Sequence, residues 1–164
     1  MNTSKSTLIL LILAVVAICS IQCSTAHFTG YSSVDNMEIR YIGTSSYSSV
    51  QDHSIDTWNE LGEVNIAPDT LWTIADLKFE DMSNSATTTT GRYTWNAIGI
   101  DYIKYNTYWF NQMTDSQRKK VGLHEMGHAL GLDHSYYPNV MVQGAYSFTS
   151  LGTHDIEDYN TLYS

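Results

Sequence analysis

The sequence predicts an α+β domain, a twisted mixed sheet with helices packed around one core. Three observations predict it. Between residues 37 and 105, short stretches carry apolar side chains at every second position, the period of a strand. Residues 47–61 and 114–130 read at the helical period instead. No linker is long enough to divide the chain, and no segment repeats, so these elements share one core.

The first stretch reads differently. Lys5 precedes an apolar run over residues 8–18, eleven residues and too short to span a bilayer comfortably. Ser24-Thr25-Ala26 offers small residues of the kind cut by signal peptidase. Residues 1–26 are therefore expected to be a secretory signal peptide, and residues 27–164 the mature extracellular domain. Both cysteines, Cys19 and Cys23, fall in the leader, so the domain is expected to rely on packing and bound metal rather than disulfides. All 17 acidic residues but only seven of the eight basic ones lie beyond it. That acidity speaks against nucleic acid and against anionic membrane surfaces. It suits a soluble secreted protein and is compatible with calcium binding; the domain is expected to be a monomer.

Met37, Ile39 and Tyr41 alternate with Glu38 and Arg40, a half-buried strand. After a turn at residues 43–46, Val50, Ser54, Trp58 and Leu61 share one helical face, and Gly62 stops the helix. His53 lies in it without a partner at ligand spacing. Residues 64–67 form a short strand closed by Pro68-Asp69. Residues 71–80 form the next, with Ala75, Leu77 and Phe79 on one side and Asp76, Lys78 and Glu80 on the other. Residues 81–93 are polar, a surface loop with room for an edge strand, and residues 97–105 are the next strand. Thr114 caps the central helix, with Gln117 completing a capping box and Asp115 favouring the positive end of the dipole. Gly122 and Gly127 inside that helix cost roughly 1 kcal/mol each, which implies close packing against a neighbour. Thr153 is the expected cap of a last helix, with Ile156, Tyr159, Leu162 and Tyr163 on its buried side.

The chemistry lies at the end of the central helix. His124 and His128 are four residues apart, so both rings leave one face and can reach one metal ion. Glu125 beside them can reach a water on that metal. Gly131 can end the helix in a left-handed conformation, and three residues later His134 can return as the third ligand. Three neutral imidazoles leave a tetrahedral zinc one open position, the arrangement of a catalytic site.

The pattern H-E-x-x-H-x-x-G-x-x-H, residues 124–134, resembles the zinc-binding consensus of the metzincin metallopeptidases. His134-Ser135, Pro138, Met141, Asp155-Ile156 and Leu162-Tyr163 resemble the matrixin branch. The resemblance implies a five-stranded sheet with three helices, and a smaller lower part beginning after Gly131. It implies a zinc endopeptidase acting on protein or peptide substrates, with one catalytic zinc on His124, His128 and His134 and with Glu125 as general base. Met141 would be the methionine of a tight turn beneath the ligands. Gln143, two residues on, stands where other metzincin branches carry a tyrosine. Residues 136–148 would wall the primary specificity pocket, with Tyr137, Val140 and Tyr146 as its apolar lining. The proline-x-tyrosine expected after the methionine is altered here, since Tyr146 comes one residue late and the proline is absent. A structural zinc in the 82–96 loop is not expected, because no histidine lies between His53 and His124. No cysteine is available for a latency switch of the matrixin kind.

Lys120 is four residues before His124 and can share its face. The resemblance then makes it a residue that shortens the specificity pocket. The plainer reading places it in a solvated basic face with Arg118 and Lys119. Two other functions remain open: a non-catalytic, zinc-stabilised extracellular binding module, and a zinc hydrolase acting on a non-peptide bond.

Overall fold

A computed structural model of the chain describes residues 26–164. The leader expectation rests almost wholly on residues 1–25, with Lys5, Cys19 and Cys23, and lies outside the described residues. Among the described residues no helix is long and apolar enough to cross a membrane.

The elements run β1 (Glu38–Ile42), α1 (Ser48–Asn59), β2 (Asn65–Pro68), β3 (Leu77–Met82), β4 (Gly91–Thr94), β5 (Asp101–Asn106), α2 (Thr107–Phe110), α3 (Asp115–Ala129) and α4 (Thr153–Tyr163). The strands form one mixed sheet in the order β2-β1-β3-β5-β4. β1 pairs in parallel with β2 and β3, and β3 pairs in parallel with β5. β4 alone runs antiparallel, at the edge beside β5. Pro68 ends the other edge strand, where a missing N–H is tolerated.

The alternation seen in the sequence carries the core. Ile39, Leu77, Phe79, Ile103 and Tyr105 are buried on the sheet, and Val50 and Trp58 of α1 meet them. Helix α3 crosses α1 at Gly122, where a Cβ would come within 2.6 Å of Val50 Cγ1. Trp58 Nε1 donates to the Leu123 carbonyl at 3.0 Å, joining the two helices again. The two glycines that weaken α3 in isolation are therefore where neighbours approach its backbone.

Several expectations need correction. The strand placed over residues 71–80 begins only at Leu77; Leu71, Trp72 and Ile74 sit in a loop at 96%, 93% and 87% exposure. An apolar alternation cannot by itself tell a half-buried strand from an exposed loop. The strand placed over residues 97–105 begins at Asp101. Among the described residues there are four helices rather than three, because the single turn α2 follows β5 directly. Thr153 is the first helical residue of α4, and Gly152 is its N-cap. The buried side of α4 is His154, Asp155, Asp158 and Tyr159, while Leu162 is exposed. A polar inner face is tolerated because these groups find partners.

The capping box of α3 is present as read: Thr114 Oγ1 accepts from Gln117 N, and Gln117 Oε1 accepts from Thr114 N. Residues 27–33 are strapped across the end of α3. Asp133 N donates to the His27 carbonyl at 2.7 Å, Thr29 N to Gly131 O at 3.0 Å and Ser33 N to Ala129 O at 2.7 Å.

Candidate metal centre

Helix α3 presents His124 and His128 on one face, and Gly131 (φ +88°) turns the chain so that His134 comes back to them. The ring nitrogens of the three histidines form a group able to hold a metal. Nε2 of His128 and Nε2 of His134 are 3.2 Å apart. Zinc–nitrogen bonds of about 2.0–2.1 Å put tetrahedral ligands about 3.3 Å apart, so the spacing fits. The far nitrogens are held by backbone: His124 Nδ1 meets Val140 O at 2.8 Å, and His128 Nδ1 meets Leu132 O at 2.8 Å. A carbonyl can only accept, so each Nδ1 carries the proton and each Nε2 keeps its lone pair for a metal. Burial holds His124 well below the ordinary imidazole value, and burial lowers His128 too, which keeps both neutral.

Glu125 projects toward β4. Its Oε2 accepts the Tyr93 amide at 2.7 Å. Burial pushes its carboxyl up to about 7, with the Tyr93 amide pulling the other way. Gly91 makes this possible: a Cβ there would meet Val121 Cγ1 at 2.6 Å and Glu125 Oε1 at 2.9 Å. Between β4 and α3 lies a cleft of about 600 Å³, with His124, Glu125, His128 and His134 in its wall. Among the described residues β4 is the sheet's outer strand, and the outer side of its backbone has no strand partner there.

Lys120 lies inside this cleft and is 2% exposed. Its ammonium donates to the Val142 carbonyl and stands 3.4 Å from His124 Nδ1. Burial lowers it to about 8. Its neighbour Lys119 pairs instead with Asp115 at 2.9 Å, so the run of three basic residues does not share one surface. Met141 packs beneath α3, its sulfur against the backbone of Gly127. The turn that carries it is pinned by Asp155 of α4, whose carboxylate accepts from Val140 N at 2.7 Å, Met141 N at 3.2 Å and Gly152 N at 2.7 Å.

Three expected pocket residues are placed otherwise. The Val140 side chain is fully buried in the core, and only its backbone serves the site, through His124 and Asp155. Tyr137 and Tyr146 do not line the cleft; they form an aromatic group with Phe148, with ring centroids 5.4–5.7 Å apart. Sequence reasoning missed Tyr93, whose amide holds Glu125, because a backbone contact leaves no mark on residue type. It also gave Gln143 no contact, although its amide lies 3.2 Å from His134 Nδ1. The position of Gln143 two residues after Met141 was the available signal. His53 lies away from the histidine group, with Nε2 3.0 Å from Thr149 O. Among the described residues a second group, His27, His154 and Asp158, could also hold a metal. Neither group is the all-oxygen set that calcium prefers.

No curated protein matches the chain. Among solved structures, a chain of the GM1-bound form of the ECX AB5 holotoxin is similar in fold, with a TM-score of 0.56. The two are 15% identical, and the match covers 77% of this chain and 80% of that one. The family model described as matrixin, of the M10 peptidases, matches residues 44–164, which include β2 to β5 but not β1, the central helix with His124, Glu125 and His128, and the turn that brings back His134. The chain belongs to the matrixin family.

Proposed function

We propose that the protein is a secreted zinc metalloendopeptidase. The observation that carries this reading is the placement of Glu125, a buried carboxylate that shares the wall of one cleft with the three histidines. A site that only held the fold together would have no use for a general base there. His124, His128 and His134 would hold the ion. Zinc bound there would supply Lewis acidity to a water and to the scissile carbonyl.

The chain's own residues do the rest. Glu125 takes the proton of the attacking water and passes it to the leaving amine, and its raised pKa suits a group that must do both near neutral pH. The outer edge of β4, where Glu125 holds the Tyr93 amide, leaves backbone groups that would pair with an extended peptide beside the histidines, a recognition mode that favours peptides over other substrates. Lys120 limits the cleft from the helix side. Met141 and Asp155 support the ligands without touching substrate. Cleavage after Ala26 would release residues 27–164 outside the cell as a monomer.

The test is digestion of denatured casein or gelatin with and without a zinc chelator. Cleavage that stops on chelation and returns with zinc is the expected result. A zinc-loaded, folded protein that cleaves neither protein would favour the binding-module reading.

A further inference from the structure

Helix α4 carries a second arrangement built like the first. His154 and Asp158 are one helical turn apart, as His124 and His128 are, and a third group arrives from a distant part of the chain. His154 Nε2 lies 3.3 Å from Asp158 Oδ2. His27 Nδ1 lies 2.9 Å from His154 Nε2 and 3.8 Å from Asp158 Oδ2. These separations straddle the spacing of about 3.3 Å that tetrahedral zinc requires.

The ligands are held in place before any ion arrives. His154 and Asp158 are each 3% exposed. Tyr136 stacks on the His154 ring at 4.9 Å and 23° and meets the His27 ring edge-on at 6.4 Å. Glu157 Oε2 stands 3.6 Å from His154 Nδ1, a carboxylate near the far nitrogen of the ring. Asn139 Oδ1 accepts the His154 amide at 3.1 Å. The His27 side chain is 31% exposed, which leaves a side open to water as a fourth ligand. Two imidazoles and a carboxylate suit zinc and not calcium or magnesium.

We propose that His27, His154 and Asp158 form a second zinc site, through His27 Nδ1, His154 Nε2 and Asp158 Oδ2. The ion clamps the strap of residues 27–29 to α4. That strap hydrogen-bonds to Gly131 and Asp133, immediately before His134, so the clamp backs the arm that carries the third histidine of the cleft.

The test is zinc counted by mass spectrometry on untagged protein after dialysis against a weak chelator. The wild type should hold two zinc ions per chain. His27→Ala, a change at the partly exposed ligand, should hold one and remain folded. His128→Ala should also hold one, and in it the added change His27→Ala should remove the ion that remains. A wild type with one ion that His128→Ala abolishes overturns the proposal. So do two ions that both persist in His27→Ala. A loss confined to the His128→Ala arm leaves the peptidase reading intact while this site fails.

Discussion

The sulfur of Met141 occupies the space that a side chain on Gly127 would need. The two residues are the contact between the turn and the helix that carry the candidate ligands, and neither tolerates growth of the other.

Gly127→Ala should therefore destabilise the fold by roughly 1–3 kcal/mol through overpacking, despite the better helix propensity of alanine. Combined with Met141→Ala, the loss should be smaller than the sum of the two single changes, because the second removes the clash the first creates. Urea unfolding of the four proteins measures this. Strict additivity would mean that the helix and the turn do not press on each other.

Glu125→Gln should keep the fold and the zinc while losing on the order of 10²–10⁴-fold in turnover. The amide oxygen can still accept the Tyr93 N–H, so loss of packing is not the cause. Zinc content, circular dichroism and peptide cleavage should be read on the same sample. Near wild-type turnover would remove Glu125 from the mechanism.

Lys120→Ala should open the cleft from the helix side and admit larger residues after the cut, raising cleavage before aromatic residues roughly tenfold over wild type. It should also cost about 1–3 kcal/mol, since the Val142 carbonyl loses a buried partner. A peptide library reads the first effect and urea unfolding the second. Cleavage profiles that superimpose would show that Lys120 does not bound the substrate.

Glu80 provides a pH test of the sheet surface. It sits between Lys78 at 2.7 Å and Lys104 at 2.8 Å, and these two partners lower its carboxyl from 4.5 to about 2. A carboxylate whose folded value is depressed contributes its full stability above the unfolded value. The contribution is lost as pH falls through the folded value. Glu80→Gln should thus lower the urea midpoint modestly at pH 7, and the two midpoints should converge between pH 4.5 and about 2. A constant gap across that range would show that the ion pairs do not contribute.

The site was legible where its determinants are local. His124, Glu125 and His128 follow from the helical repeat, Gly131 from its left-handed turn, and the start of α3 from Thr114 and Gln117. Lys120 was ambiguous because i, i+4 spacing shares out a face without saying whether that face is wet. Tertiary contacts decided the rest. Nothing near Asp155 in sequence announces that it would hold Val140 and Met141, and Ser33 and Ala129 pair across 96 positions. Leu71, Trp72 and Ile74 looked like strand because hydropathy records what a residue prefers and not whether a neighbour covers it.

The strap and α4 carry a consequence for timing. His27 and Asp158 meet across 131 positions, and the turn under the histidines waits on Asp155 from the last helix. Contacts of such long range close late, after the sheet and α3 have gathered. The ribosome must release nearly the whole chain before the cleft takes its shape. Tight zinc binding should then appear as one of the final events of folding, and the moment at which it appears would date the docking of α4.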